Sequence, residues 1–324
     1  MKSKKIIPNS NKLIEKITGH FSGIEFQLPS ELGQTAVREA LNKTVLSGGK
    51  RIRPYLTFLF SKISAIESES LVNCLCESIE FVHAASLSHD DVIDNATLRR
   101  GEPSINILVG NKKAILAGDF LLASVIEKLC LFNNPVLIKE MAETIRDLSL
   151  GEWLQYDLIS SREYESDSFE RISSLKTSSV LKWCVVGPLL AGNKSKKSID
   201  LARHFGECLG RSFQFSDDIL DFKGSSQKDL NLDLKNNQLN IVTYLYLKEH
   251  NLLESYQSGK DLVELVDIDQ IGPSVLKVET IVNENIKLCK TIFVEICKEL
   301  KVSKLSKERL AINLLLEQLE KRIV

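Results

Sequence analysis

Helical periodicity is the feature that most narrows what this chain can become. Over residues 67–94, Leu71, Leu75, Ile79, Val82 and Leu87 recur mostly three or four positions apart, which lays one apolar stripe along a helix. The same period returns over 30–46, 54–63, 112–131, 135–159, 170–190, 199–222 and 307–323, the last with Leu310, Leu314, Leu315 and Leu319 near one face. Only 7 prolines and 16 glycines interrupt 324 residues, and no long run alternates apolar with polar as a sheet would require. The expectation is therefore all-α: a single-domain bundle of long helices over 1–324, with 1–28 an N-terminal extension and first helix. Breaks are expected at Ser47-Gly48-Gly49, at the loop 99–104, and across the polar stretch 223–240.

Charge and cysteine usage exclude several classes of function. Lysine and arginine number 42 against 43 aspartates and glutamates, a balance that argues against nucleic acid as the main partner. Seven scattered cysteines form no CxxC pair and no zinc spacing, so they read as reduced thiols that mostly fill the core. The basic start runs into Pro8-Asn9-Ser10-Asn11 instead of an apolar stretch, and no run approaches the ~18 apolar residues of a membrane span. A cytoplasmic protein is expected, one that can still hand an oily product to a membrane.

The chemistry concentrates in two acidic clusters of identical spacing. Asp90-Asp91-Val92-Ile93-Asp94 and Asp217-Asp218-Ile219-Leu220-Asp221 each close an expected helix as DDxxD. Positions i and i+4 share a helical face, so Asp90 with Asp94, and Asp217 with Asp221, each present two carboxylates about one turn apart. Carboxylates at a helix C-terminus also oppose the helix dipole, so a compensating cation is needed. Hard oxygen donors that leave room for water suit Mg²⁺, which takes one or two carboxylates together with substrate phosphates. Two such faces opposed across a cavity would hold a diphosphate through bridging metals. Basic companions lie nearby in sequence: Lys50, Arg51 and Arg53 in Gly48-Gly49-Lys50-Arg51-Ile52-Arg53-Pro54, and Arg99-Arg100-Gly101. Cations beside glycines and helix ends are what two diphosphates require.

The run from Ile79 through His83, His89, Asp90 and Asp94 to Arg99, Arg100 and Ser104 resembles the trans-isoprenyl diphosphate synthases of the polyprenyl synthetase family, medium- or long-chain type. The likeness continues through Leu116-Ala117-Gly118-Asp119-Phe120, Gly151-Glu152 with Gln155, Lys176-Thr177 and Phe213-Gln214-Phe215-Ser216-Asp217. It implies a dimeric bundle of helices with both acidic motifs facing a central cavity. Residue by residue, it implies that Lys50, Arg53, His83 and Arg100 hold isopentenyl diphosphate, and that Arg99, Lys176 and Lys228 hold the allylic diphosphate. Asp90, Asp94 and Asp217 would ligate about three Mg²⁺ ions, with Asp91, Asp218 and Asp221 assisting. The implied reaction ionises the allylic diphosphate; Thr177 and Gln214 set oxygens against the cation, the isopentenyl double bond attacks it, and a proton is lost. The homodimer and the prenyl diphosphate partners follow from the same resemblance.

One segment departs from the family pattern. Where GKxTxP is expected the chain reads Asn237-Gln238-Leu239-Asn240-Ile241-Val242, so a diphosphate-binding lysine has become Gln238. That is the single feature favouring a non-catalytic or weakly active partner subunit of a heteromeric synthase. A His89-Asp90 metal phosphohydrolase lacks the further histidines it would need, and a class I terpene cyclase needs no second diphosphate site. Chain length is expected to depend on Val82, Ala85 and Ser86. Short-chain members carry a ring four or five residues before the first Asp, and here those positions are Ser86 and Ala85. A product of roughly six to ten isoprene units follows, each added methylene favouring an apolar interior by ~0.8 kcal/mol. Trp153 and Trp183 are expected to fill helix interfaces.

Overall fold

The computed structural model describes residues 26–33, 35–223 and 232–322, and helices dominate them. The longer ones are α1 (Ala36–Lys43), α2 (Ile52–Ile63), α3 (Glu69–Ile93), α4 (Asn111–Cys130), α5 (Pro135–Ser161), α6 (Ser179–Ala191), α7 (Lys196–Lys223), α8 (Ile241–Glu249), α9 (Gly272–Glu299) and α10 (Lys307–Arg322). The described residues divide into two compact units. One comprises those up to Ile145 with Trp183–Ile199 and Val302–Leu314; the other comprises Arg146–Lys182, Asp200–Lys301 and those from Leu315 onward.

In the first unit the core takes in part of the stripe read from the sequence, Leu71 and Leu87 being only half-buried. Leu75, Ile79, Phe81, Val82 and Ala85 of α3 are fully buried, and α3 packs along α4, whose Leu121, Val125 and Leu129 are fully buried too. Burying side chains of this kind stabilises by about 1.5–3 kcal/mol each. Ser68 starts α3 by accepting the amide of Leu71 on its hydroxyl at 3.3 Å, which satisfies one of the unpaired donors of the first turn. The helix stops at Asp94, followed by Asn95 at φ 50, and the amide of Ala96 closes back on the carbonyl of Asp91 at 2.9 Å. Trp183 lies in this core, fully buried.

In the second unit α7 and α9 pack through Phe205 and Phe293, whose ring centroids are 5.8 Å apart. Cys289 on α9 reaches the carbonyl of Phe205 at 3.9 Å. Leu209, Phe215 and Ile219 of α7, and Val278, Val282, Ile286 and Ile296 of α9, complete that interior.

Three expectations are corrected. The helix expected over 30–46 is a 3-10 turn at Ser30–Leu32 followed by α1, which Thr35 caps by accepting the amide of Arg38 at 3.2 Å. The loop 99–104 contains a two-stranded antiparallel hairpin in which Leu98 pairs with Pro103 and Arg99 with Glu102. Trp153 is 69% exposed and fills no interface among the described residues. The cysteines match expectation in chemistry and burial: all seven are free thiols and only Cys130 is exposed. Among the described residues no helix is long and apolar enough to cross a membrane.

Candidate active site

In the first unit, α3 carries the first acidic motif at its C-terminal end, where the dipole conflict foreseen from the sequence is answered by Arg99. The guanidinium of Arg99 donates to Asp91 Oδ1 from Nη2 at 2.6 Å and from Nε at 2.7 Å, and Asp91 is completely buried. The amide of Ile105 also donates to Asp91 Oδ2, at 3.4 Å. Of the three aspartates, Asp91 therefore ties the hairpin to the helix, while Asp90 is half-buried and Asp94 exposed. His89 packs against α4 with Nε2 3.1 Å from the Ile115 carbonyl and 3.4 Å from Asp119 Oδ1. A side chain at residue 118 would collide with that ring, which accounts for Gly118 beside Asp119.

Basic residues gather around His83, two turns before Asp90. Burial, Arg53, Arg100, Arg99 and Arg51, in that order, hold its pKa well below 6.5, so the ring is neutral near pH 7 although part of its surface is exposed. Arg100, at φ 55 in the hairpin turn, donates to the Ser47 carbonyl just before Gly48-Gly49. Its own pKa is lowered by burial and then by Arg51, the direction a crowded cationic site imposes. Lys50 is exposed and Arg53 half-buried. The structure thus brings together Arg53, His83, Arg99 and Arg100, to which the sequence reading assigned ligand contacts, with Arg51, which it named only as a basic companion.

In the second unit the helix expected over 170–190 is interrupted by one π-helical turn, Ser174–Ser178, just before α6. Such turns re-aim side chains and frequently mark functional sites. This one carries Lys176 and Thr177. Lys176 Nζ meets Glu152 Oε2 at 2.5 Å and donates to Gln155 Oε1 at 2.8 Å, both on α5. A Cβ on Gly151 would stand 2.6 Å from Lys176 Cγ and 3.0 Å from its backbone nitrogen. Gly151, Glu152 and Gln155 thereby acquire a role that the sequence could not assign: they seat and orient Lys176.

Thr177 Oγ1 donates to Gln214 Oε1 at 2.7 Å, and Gln214 Nε2 donates to Asp218 Oδ1 at 3.1 Å. The amide is held with its oxygen toward the threonine. Within the second acidic motif, Asp218 is buried and its pKa is pushed up to about 8, first by desolvation and then by Asp233 and Asp217. Asp233 is raised as well, by burial and by Asp221 and Asp217. Asp221 Oδ2 accepts the amide of Asp233 at 3.2 Å, and Asp217 Oδ1 pairs with Arg322 of α10 at 2.7 Å. Neither Asp233 nor Arg322 was foreseen as a site residue. Arg322 lies 105 positions from its partner, beyond the reach of any local motif.

Around the departure at 237–242 the backbone forms a turn and then a helix start. Asn237 sits at φ 55, a conformation asparagine tolerates better than most side chains, in the place where the family pattern has glycine. Asn240 accepts the amides of Val242 and Thr243 and, with Thr243, forms a capping box on α8. It also donates to Asp233 Oδ2 at 2.9 Å. The segment thus holds a turn at Asn237 and a cap at Asn240, and carries Gln238 where the family pattern has a lysine. Lys228 lies outside the described residues.

Among the described residues no three histidine, cysteine, aspartate or glutamate side chains converge as a self-contained metal cage. The donors are carboxylate oxygens one helical turn apart, and in the second motif they crowd enough to hold a proton on Asp218. This donor set fits Mg²⁺, which completes its shell with water and phosphate oxygens.

Residues 34–268 match the family model described as polyprenyl synthetase. The chain is 31% identical over 240 residues to a prenyl transferase of Synechocystis sp., a match covering 71% of this chain and 74% of that protein. It is 36% identical over 188 residues to solanesyl diphosphate synthase 2, chloroplastic, of Arabidopsis thaliana, covering 56% of this chain but only 45% of that one. In three dimensions it resembles the crystal structure of a decaprenyl diphosphate synthase from Rhodobacter capsulatus, with TM-score 0.76 at 20% identity over 98% of this chain and all of that chain. At that identity the structural likeness speaks for the fold.

Proposed function

The chain belongs to the polyprenyl synthetase family, and we propose from that premise that it is a magnesium-dependent prenyltransferase. It condenses isopentenyl diphosphate with an allylic diphosphate such as farnesyl diphosphate to make a medium- or long-chain all-trans polyprenyl diphosphate. The observation that carries this reading is the arginine cluster around a neutral His83, on the same unit as the Asp90–Asp94 pair. Three guanidinia near one imidazole, those of Arg53, Arg99 and Arg100, form a site for a multiply charged anion.

In this assignment Lys50, Arg53, His83 and Arg100 hold isopentenyl diphosphate, and neutral His83 donates a hydrogen bond without adding charge. Arg99, Lys176 and Lys228 hold the allylic diphosphate. Magnesium, about three ions, is assigned to Asp90, Asp94 and Asp217 with help from Asp91, Asp218 and Asp221; bound there, it would neutralise charge on the departing diphosphate. As the allylic carbon–oxygen bond breaks, both electrons leave with the diphosphate. Lys176, already aimed by Glu152 and Gln155, stabilises that charge without reorganising. Thr177 and Gln214, locked to one another, set oxygen lone pairs against the allylic cation. The isopentenyl double bond then attacks the cation, and a proton is lost to the released diphosphate. No protein nucleophile takes part.

Large exposed apolar side chains on α4 and α5 favour assembly as a homodimer. Cytoplasmic residence and delivery of product to a membrane belong to the same proposal. Incubation of the purified protein with Mg²⁺, radiolabelled isopentenyl diphosphate and farnesyl diphosphate should give labelled, solvent-extractable products of roughly six to ten units. A protein that binds both substrates and elongates neither would be a partner subunit, and the enzymatic reading would fall.

A further inference from the structure

One cation of the glycine-rich loop behaves unlike its neighbours. Arg51 sits between Lys50 and Arg53 in sequence, yet its side chain is only 8% exposed. The residue takes a left-handed conformation, φ 48, at the start of α2. From there its guanidinium forms an ion pair with Glu80 and donates to the carbonyl of Leu46, and it lies over the Phe26 ring at 5.1 Å from the centroid. Glu80 is itself 6% exposed and lies one helical turn before His83 on α3. The neighbouring carbonyl, Ser47, is taken by Arg100. Two guanidinia therefore grip adjacent carbonyls at the entrance of the loop, and one of them is anchored to the helix that carries His83 and Asp90.

We propose that Glu80 and Arg51 are a positioning pair: they fix the glycine-rich loop against α3 so that Lys50, Arg53 and Arg100 meet a diphosphate in the right register, while Arg51 itself stays off the ligand. The inference deepens the isopentenyl diphosphate assignment above and rests on it. It follows from the chemistry of the cluster. A loop with glycines at two consecutive positive-φ residues, Gly48 and Gly49, has many alternative conformations, and the lysine that follows them is exposed. Ordering such a loop only when ligand arrives would draw on binding energy, whereas a buried anchor orders it beforehand. A buried carboxylate beside four arginines also lowers the affinity for an anion by plain Coulomb repulsion, so its presence needs a structural justification.

That conflict makes the test decisive, because the two roles predict opposite signs. If Glu80 acts only through its charge, Glu80→Gln makes the cluster one unit more positive and inorganic pyrophosphate binds more tightly. If it positions, Glu80→Gln releases Arg51 and pyrophosphate binds at least fivefold more weakly, measured by calorimetry without Mg²⁺ so that the acidic motifs take no part. A double variant, Arg51→Met with Glu80→Leu, guards against loss of fold, since a buried ion pair replaced by apolar residues of similar size is commonly neutral or stabilising. It should keep the wild-type thermal midpoint within a few degrees and still bind pyrophosphate at least fivefold more weakly. In turnover assays both variants should raise the KM for isopentenyl diphosphate while kcat and the allylic KM stay within about twofold. Tighter or unchanged pyrophosphate binding, or equal effects on the two substrates, overturns the inference; if Glu80→Gln is not recovered folded, the double variant decides by the same thresholds. A wild type that binds pyrophosphate but elongates nothing would sink the proposed activity, while the binding series would still read the role of Glu80.

Discussion

Asp217 and His83 show how much chemistry a single side chain carries here. Asp217 is assigned to magnesium, and in the structure its carboxylate is shared with Arg322 at 2.7 Å, an ion pair with both partners substantially exposed. Exposed pairs contribute roughly 0–1 kcal/mol, so Asp217→Ala should leave unfolding free energy almost unchanged, helped by relief of Asp218 and Asp233. Turnover should fall by orders of magnitude, and Asp90→Ala should behave alike. Activity above about a tenth of wild type, a barrier change below ~1.4 kcal/mol, would refute the metal assignment. His83 makes a separate prediction through pH. Its folded pKa is depressed, so the unfolded chain binds the extra proton first, and stability is lost as pH falls below about 6.5. Asp218 has the opposite sign, since its raised pKa makes ionisation costly between the usual aspartate value and about 8. Comparing urea unfolding of wild type and His83→Gln at pH 5 and pH 7 cancels the aspartate contribution. The wild type should lose more stability on acidification than the variant, and parallel pH profiles would show that His83 titrates normally.

The elements place these side chains, and α3 bears most directly on product length. Val82 and Ala85 are fully buried, whereas Ser86 is half-buried with its hydroxyl bonded to the His83 carbonyl at 2.9 Å. A ring at residue 85 must therefore displace packed neighbours at a cost of typically 1–3 kcal/mol, but a ring at residue 86 meets less resistance. Ala85→Phe and Ser86→Phe should both shorten the products toward three or four units, with Ser86→Phe keeping more of the wild-type stability. Mass spectra of products unchanged in both variants, or a wild type that already stops at four units, would place the length control elsewhere. The helices were largely legible because their evidence is local: the apolar period set α3 over 67–94, and it runs Glu69–Ile93. The π turn at Ser174–Ser178 was not, because what surrounds it is tertiary: Gly151 approaches Lys176 from another helix. The acidic motifs were legible as spacing, but the unequal burial of their aspartates was not, since it depends on Arg99 folding back from the hairpin and Arg322 arriving from α10.

At the scale of the whole molecule, a formal charge of -1 conceals strong local segregation, with arginines around His83 and carboxylates around Asp218. Among the described residues each unit also exposes neighbouring apolar side chains. In the first, Ile115 and Leu116 on α4 are 42% and 65% exposed; in the second, Trp153 and Tyr156 on α5 are 69% and 63% exposed. Single exposed apolar residues are ordinary, but rings and branched chains clustered within a turn or two of each other are the signature of a surface covered by a partner. Aromatic anchors commonly dominate the energetics of such surfaces, and truncating one typically costs 2 kcal/mol or more of association energy. Sedimentation velocity on the purified chain at micromolar concentration should give a dimer. Trp153→Ala and Leu116→Glu should each shift that equilibrium toward monomer by at least tenfold, with helical content by circular dichroism unchanged because both side chains already lie outside the core. A monomeric wild type under the same conditions, or variants that dimerise as tightly as the parent, would mean that these residues cover no interface between copies of this chain.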